Sequence, residues 1–93
     1  MLFRSIKKAI NYYKQCLEIA KEVGDKAGVG ASYGKLGSAY NGLGEFKTAI
    51  KYHQRSLEIA KEVGDKAAEG AGYGRLGDAY HSLGEFKDRK SVV

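Results

Sequence analysis

The sequence predicts an all-α fold, an α-α superhelix of stacked antiparallel helix pairs, on three observations. The first is an internal repeat: residues 12–47 laid over 52–87, a shift of forty, are identical at 25 of 36 positions, with LEIAKEVGDKA unbroken at 17–27 and 57–67. A fixed period of this size means stacked supersecondary units. The second is the spacing of the apolar residues, which is helical and shows no strand alternation. The third is the combination of thirteen Gly with no Pro. Loop-rich and low-complexity chains almost always carry Pro as well, so these glycines belong to helix ends and helix contacts.

Taken in order, the first element is a long helix over the N-terminal segment, an earlier copy of a later one, since Lys7, Ala9 and Ile10 fall opposite Lys47, Ala49 and Ile50. The acid-poor start, with Arg4, Ser5, Lys7 and Lys8, mimics a transit peptide, but the repeat explains it better. A glycine-rich helix follows over 26–43, burying Tyr33, Leu36, Tyr40 and Leu43, and Gly44 closes it. Residues 46–63 form the second long helix, with apolar residues at Phe46, Ala49, Ile50, Leu57, Ala60 and Val63, and Tyr52 and Ile59 widening the stripe. Gly64 tolerates a left-handed stop and Asp65 is a good N-cap for the next helix. That helix, 66–83, repeats the glycine-rich pattern with Tyr73, Leu76, Tyr80 and Leu83 buried, Gly84 closing it and a fifth element starting at Glu85. Connections of two or three residues force neighbours to lie antiparallel. The total is about four helices plus a short C-terminal stub.

Gly34, Gly37, Gly74 and Gly77 lie inside helices, where each costs roughly 1 kcal/mol relative to Ala. Close approach of a neighbouring helix offsets that cost. Gly37 and Gly77, which follow Leu36 and Leu76 on the apolar face, are the positions this explains best.

A chain of 93 residues hides only about three-fifths of its unfolded surface, which leaves little room for a large buried catalytic cavity. The net charge of +5 grades along the chain: five basic and two acidic residues in 1–24, six and four in 25–64, five and five in 65–93. Lysines alternate with glutamates, as in Glu18, Lys21, Glu22, which marks a solvated helix face and points away from nucleic acid. A nucleic-acid reading would rest on the basic N-terminal half and predict steep salt dependence. One cysteine, Cys16, excludes a disulfide scaffold, and no apolar run approaches the ~18 residues of a membrane span. The expected location is cytoplasmic.

The pattern Tyr33-x-x-Leu36-Gly37-x-x-Tyr40, repeated as Tyr73-x-x-Leu76-Gly77-x-x-Tyr80 and followed by Gly44-Glu45-Phe46-x-x-Ala49, resembles the tetratricopeptide repeat (TPR). The forty-residue period with EIAKEVGDKA between units is similar to the long variant of Pins/LGN-type scaffold proteins. The resemblance covers residues 5 to 87. It departs from the family pattern in having Tyr33 and Tyr73 for the usual Trp, no Pro after the second helix, and Cys16 and Ser56 for a small Ala. It divides residues 1–93, one repeat domain, into 2–24, the second helix of an incomplete repeat, 25–64, a full repeat, and 65–90, a repeat with a truncated second helix. Cys16 is then expected to be a buried small residue.

The resemblance implies a non-catalytic protein-interaction module whose first helices line a concave groove for an extended or helical segment of a protein or peptide partner. Spacing places Ala31, Gly34, Ser38, Asn41 and Ala71, Gly74, Asp78, His81 on the matching face, with Lys35 and Arg75 at its edge. The candidate partner-binding residues are Lys35, Ser38, Asn41, Arg75, Asp78 and His81. The two copies differ here, as at Ser38/Asp78 and Asn41/His81, which is either where specificity is written or drift on an unused surface. Gly34 and Gly74 would admit a partner's backbone. Pins/LGN-like grooves hold acidic peptides with Asn and Arg; Ala31, Ala71, Ser38 and Asp78 stand there instead, leaving Lys35 and Arg75 to hold anions.

Other motifs point to no catalysis, cofactor or metal. Gly72-Tyr73-Gly74-Arg75-Leu76-Gly77 fits G-x-G-x-x-G but lies inside a helix, without the strand that dinucleotide binding requires. His53 is expected to be a buried, satisfied imidazole, and His81 with Asp78 supplies two ligands at most. Ser91-Val92-Val93 resembles a PDZ-domain ligand, whereas Asp88-Arg89-Lys90, which lacks the apolar Ala49 and Ile50 of the other copy, reads as a repeat broken off. The alternative function is a self-assembling element, a dimer or end-to-end stack through uncapped helical ends, because solenoids normally need about three repeats and polar caps.

Overall fold

Left-handed glycines at Gly24, Gly44 and Gly64, with φ of 72°, 81° and 72°, cut the chain into four helices. These are α1 (Leu2–Glu22), α2 (Lys26–Gly42), α3 (Phe46–Val63) and α4 (Lys66–Val92). The computed structural model describes the backbone of residues 2–92 and the side chains of residues 2–87. The side chains of the Ser91-Val92-Val93 ending therefore lie outside the described residues.

The Gly-Asp breaks work as the sequence predicts. At the end of α3, Gly64 N–H donates to Lys61 O at 3.2 Å and Asp65 N–H reaches back to Ala60 O at 3.0 Å, which satisfies carbonyls the helix leaves free. Asp65 then opens α4 by accepting from Ala68 N–H at 3.0 Å. Asp25 caps α2 in the same way, accepting from Gly28 N–H at 2.9 Å.

α2 packs on α1 with one side and on α3 with another, and α3 packs on α4. A helix flanked on two sides cannot be amphipathic in the usual sense, which is why α2 has glycines and apolar residues around most of its circumference. Leu36 is its fully buried centre, grouped with Ile10, Leu17 and Tyr33. Between α2 and α3 the Tyr52 ring stacks on Tyr40 at 5.5 Å and meets Tyr33 at 5.9 Å, and Ser56 Oγ donates to Gly30 O at 2.8 Å.

The second copy departs from expectation in three places, and one cause serves them all. Gly84 ends no helix: α4 runs through it to Val92 as a single element of 27 residues. After Gly44, the buried Ala49 and Ile50 fold the chain back, whereas the polar Asp88-Arg89-Lys90 has nothing apolar to bury, so continuing the hydrogen-bonded helix wins. Tyr73 and Tyr80, expected in the core, are 52% and 53% exposed, because no helix among the described residues lies over that face of α4. A methyl group at Gly77 would meet no other part of the described residues within 4 Å, unlike one at Gly37. At the other end Cys16 is exposed rather than buried. Its counterpart Ser56 faces α2, and among the described residues no helix stands on the matching side of α1.

Candidate functional site

A groove of about 560 Å³ runs across the four helices. α2 contributes Ala31, Gly34, Lys35 and Ser38, one face at helical spacing, and α4 contributes Ala68, Ala71 and Arg75. Its remaining walls come from Ile6, Ala9 and Tyr13 of α1 and from Ser56, Ile59 and Val63 of α3. Small side chains on α2 and α4 keep the space open, and the aliphatic residues of α1 and α3 make it largely apolar.

Two cations mark the site. Arg75 of α4 lies across Gly34 of α2: a methyl group at 34 would stand 3.1 Å from its Nη1 and 3.3 Å from Ser56 Oγ. Gly34 thus makes room for the protein's own arginine. Lys35 Nζ lies 6.0 Å from the centre of the Tyr13 ring, at the outer limit of a cation–π contact. Neither Lys35 nor Arg75 is in an ion pair among the described residues.

His53 stands behind this site and is buried, as expected, but not satisfied: its Nδ1 has no hydrogen-bond partner. The ring lies against the backbone of α2 at Gly37, whose polar groups are already used in the helix. Burial pushes its pKa below the ordinary 6.5, and the positive charge of Arg75 pushes the same way.

Of the six candidate binding residues, Lys35, Ser38 and Arg75 line the groove, and Asn41, Asp78 and His81 do not. Asn41 is half-buried near the end of α2, with its Oδ1 enclosed and unpartnered. Asp78 is exposed, and His81 Nε2 lies 3.6 Å from Glu85 Oε1, one turn on, rather than beside Asp78. The contributions of α1 and α3 were missed by reasoning from the glycine-rich helices alone. The signal for them was the extra width of the long-helix stripe at Ile59. Within the glycine run at 72–77, Gly72 packs against Leu57 in the body of α4 and opens no helix. Among the described residues no three His, Cys, Asp or Glu gather closely enough to hold a metal ion, and no helix is long and apolar enough to cross a membrane.

Comparison with known proteins agrees with this architecture. No curated protein sequence matches the chain. Among solved structures, the designed protein DA05, determined by NMR in solution, superposes with a TM-score of 0.83 over 90% of this chain and 84% of its own, at 21% identity, a likeness of fold alone. The TPR domain of Arabidopsis FLU superposes with a TM-score of 0.79 at 28% identity, covering 88% of this chain and 69% of that one. The sequence profile of the tetratricopeptide repeat matches twice, over residues 5–62 and 28–88, each match spanning helices of both kinds. With the repeat written in the sequence, the helix pairs in the structure and the profile matched from one end of the stack to the other, the chain belongs to the tetratricopeptide repeat family.

Proposed function

We propose that the chain is a non-catalytic binding module that holds an extended or helical segment of a protein partner on its concave face, in the groove between α2 and α4. Tetratricopeptide repeats generally mediate protein–protein interactions, which supports the coarse form of this reading. The observation that carries the finer form is the meeting of Lys35 and Arg75, forty residues apart and equivalent in the repeat, in one groove whose other walls are mostly small or apolar, with Asp65 as the carboxylate among them. Two cations without an ion-pair partner, on apolar walls, suit carboxylates or backbone carbonyls of a guest. The small residues Ala31 and Ala71 let the guest's backbone come near. Ser38 belongs to the same wall, and Asn41, Asp78 and His81 would act at the rim, where the two copies differ.

The test is capture from a lysate by the wild type and by the Lys35→Glu/Arg75→Glu variant. Both side chains are exposed, so the fold is retained, which circular dichroism checks. Loss of the partner from the variant is the expected result; equal recovery from both proteins rejects the groove.

A further inference from the structure

The chain builds the interface between α2 and α3 once and carries the two halves of a second such interface on opposite ends. On the α4 side, Tyr73, Tyr80, Gly70, Gly74 and Gly77 repeat Tyr33, Tyr40, Gly30, Gly34 and Gly37 of α2. On the α1 side, Tyr12, Tyr13, Cys16 and Ile19 stand for Tyr52, His53, Ser56 and Ile59 of α3. We propose that the free face of α4 is a docking surface for α1 of a second copy of this chain, so that copies join head to tail.

Within the chain, the first version of this interface is closely fitted. A methyl group at Gly30 would stand 2.9 Å from Ile59 Cγ2, and one at Gly37 would stand 2.6 Å from the His53 ring. Tyr52 lies between Tyr33 and Tyr40. In the second version most of the same groups are uncovered, the exceptions being Tyr13, half-buried against the core, and Tyr73, whose ring has Lys61 Nζ at 5.5 Å. Gly70, Gly74 and Gly77 meet nothing within 4 Å, and Tyr12 and Ile19 are 65% and 60% exposed. Interior glycines weaken a helix, and among the described residues no contact offsets these three on α4. Tyr12 of one copy would enter between Tyr73 and Tyr80 of the next, Ile19 would meet Gly70, and Tyr13 would meet Gly77.

Charge continues the same pattern. Lys26 Nζ and Glu62 Oε1, 3.1 Å apart, tie the start of α2 to the end of α3. Lys66 and Glu22 are their equivalents at the start of α4 and the end of α1; both are exposed, with Lys66 Nζ 3.6 Å from Glu69 Oε1 in the single chain. The contact is heterologous, using a different patch on each copy, so it propagates rather than closing as a twofold dimer would. It uses neither Lys35 nor Arg75, although Tyr13 belongs both to this contact and to the wall of the groove.

Sedimentation velocity of the purified full chain tests this. Average mass should rise with concentration past that of a dimer, and Gly77→Leu, which fills the slot for Tyr13 at a position open in the single chain, should weaken association about tenfold or more while helix content is kept. A second measurement, on Gly74→Cys, fixes the register. Gly74 is the counterpart of Gly34, where a methyl would lie 3.3 Å from the oxygen of Ser56, itself the counterpart of Cys16. Mild oxidation of that variant should give a 16–74 disulfide between copies and a ladder beyond the dimer. A mass that stays monomeric at every concentration overturns the proposal, as does cross-linking of like positions only, 16–16 or 74–74. Neither result depends on capture of a partner in the groove.

Discussion

Gly37 of α2 and the imidazole of His53 on α3 are in direct contact, with space for no atom between them: a methyl at 37 would lie 2.6 Å from both Cε1 and Nδ1. Forty residues on, Gly77 faces open space. Gly37→Ala should therefore destabilise by about 2 kcal/mol, through displacement of a packed ring, although Ala is the better helix former by about 1 kcal/mol. Gly77→Ala should stabilise by up to about 1 kcal/mol. Urea denaturation in dilute protein measures both, and changes of the same sign would refute this account of the glycines.

Because His53 is held below its ordinary pKa of 6.5 by burial and by Arg75, the unfolded chain takes up this proton more readily than the folded one. Stability is then fully present above about pH 6.5 and lost as the pH falls from there toward the folded value. His53→Phe keeps a ring against Gly37 and removes the titration, so its melting temperature should be flatter than the wild type's from about pH 6.5 to about pH 5, before carboxylates titrate. Arg75→Gln should raise the His53 pKa in an NMR titration. A wild-type profile parallel to that of His53→Phe would show that the imidazole is not coupled to folding.

The Gly64-Asp65 break should be costly to change at either residue. Asp65→Ala leaves Ala68 N–H without its cap and should cost about 1 kcal/mol. Gly64→Ala forces a side chain into a left-handed conformation at φ 72° and should cost a similar ~1 kcal/mol. Thermal unfolding of the two single variants, read for midpoint, checks the pair.

Thiol chemistry separates the two versions of one position. Cys16 is exposed, so in dilute protein it should react with a maleimide at close to the rate of the unfolded chain. Ser56→Cys, in a Cys16→Ser background, should react several-fold more slowly, since Ser56 is half-covered by α2. Equal rates would remove the difference between an occupied and a free face.

What was legible in the sequence was local or repeated. The Gly64-Asp65 stop and the core place of Leu36 depend on residues a few positions away or on a pattern seen twice. The misread residues share a different property: Tyr73, Tyr80, Gly77 and Cys16 are identical or equivalent to buried or half-buried residues of the other copy, and only a further helix decides whether they are covered. Gly84 carries the same lesson, because Gly44 ends its helix with the help of Ala49 and Ile50 further along the chain. Half of the candidate face was legible for a related reason. Lys35, Ser38 and Arg75 lie where helical spacing puts them, but Ile6, Tyr13 and Ile59 enter the groove through the angle between helices, which no spacing along one helix contains.

α2 and α4 hardly touch each other, and each is held mainly by α3 behind them, with Arg75 reaching over Gly34 across the gap. The jaws of the groove are thus fastened at the hinge side and left apart at the lips. A guest wedging between them, as proposed above, would have no packed seam to pry open and would have to move only Arg75 from across Gly34.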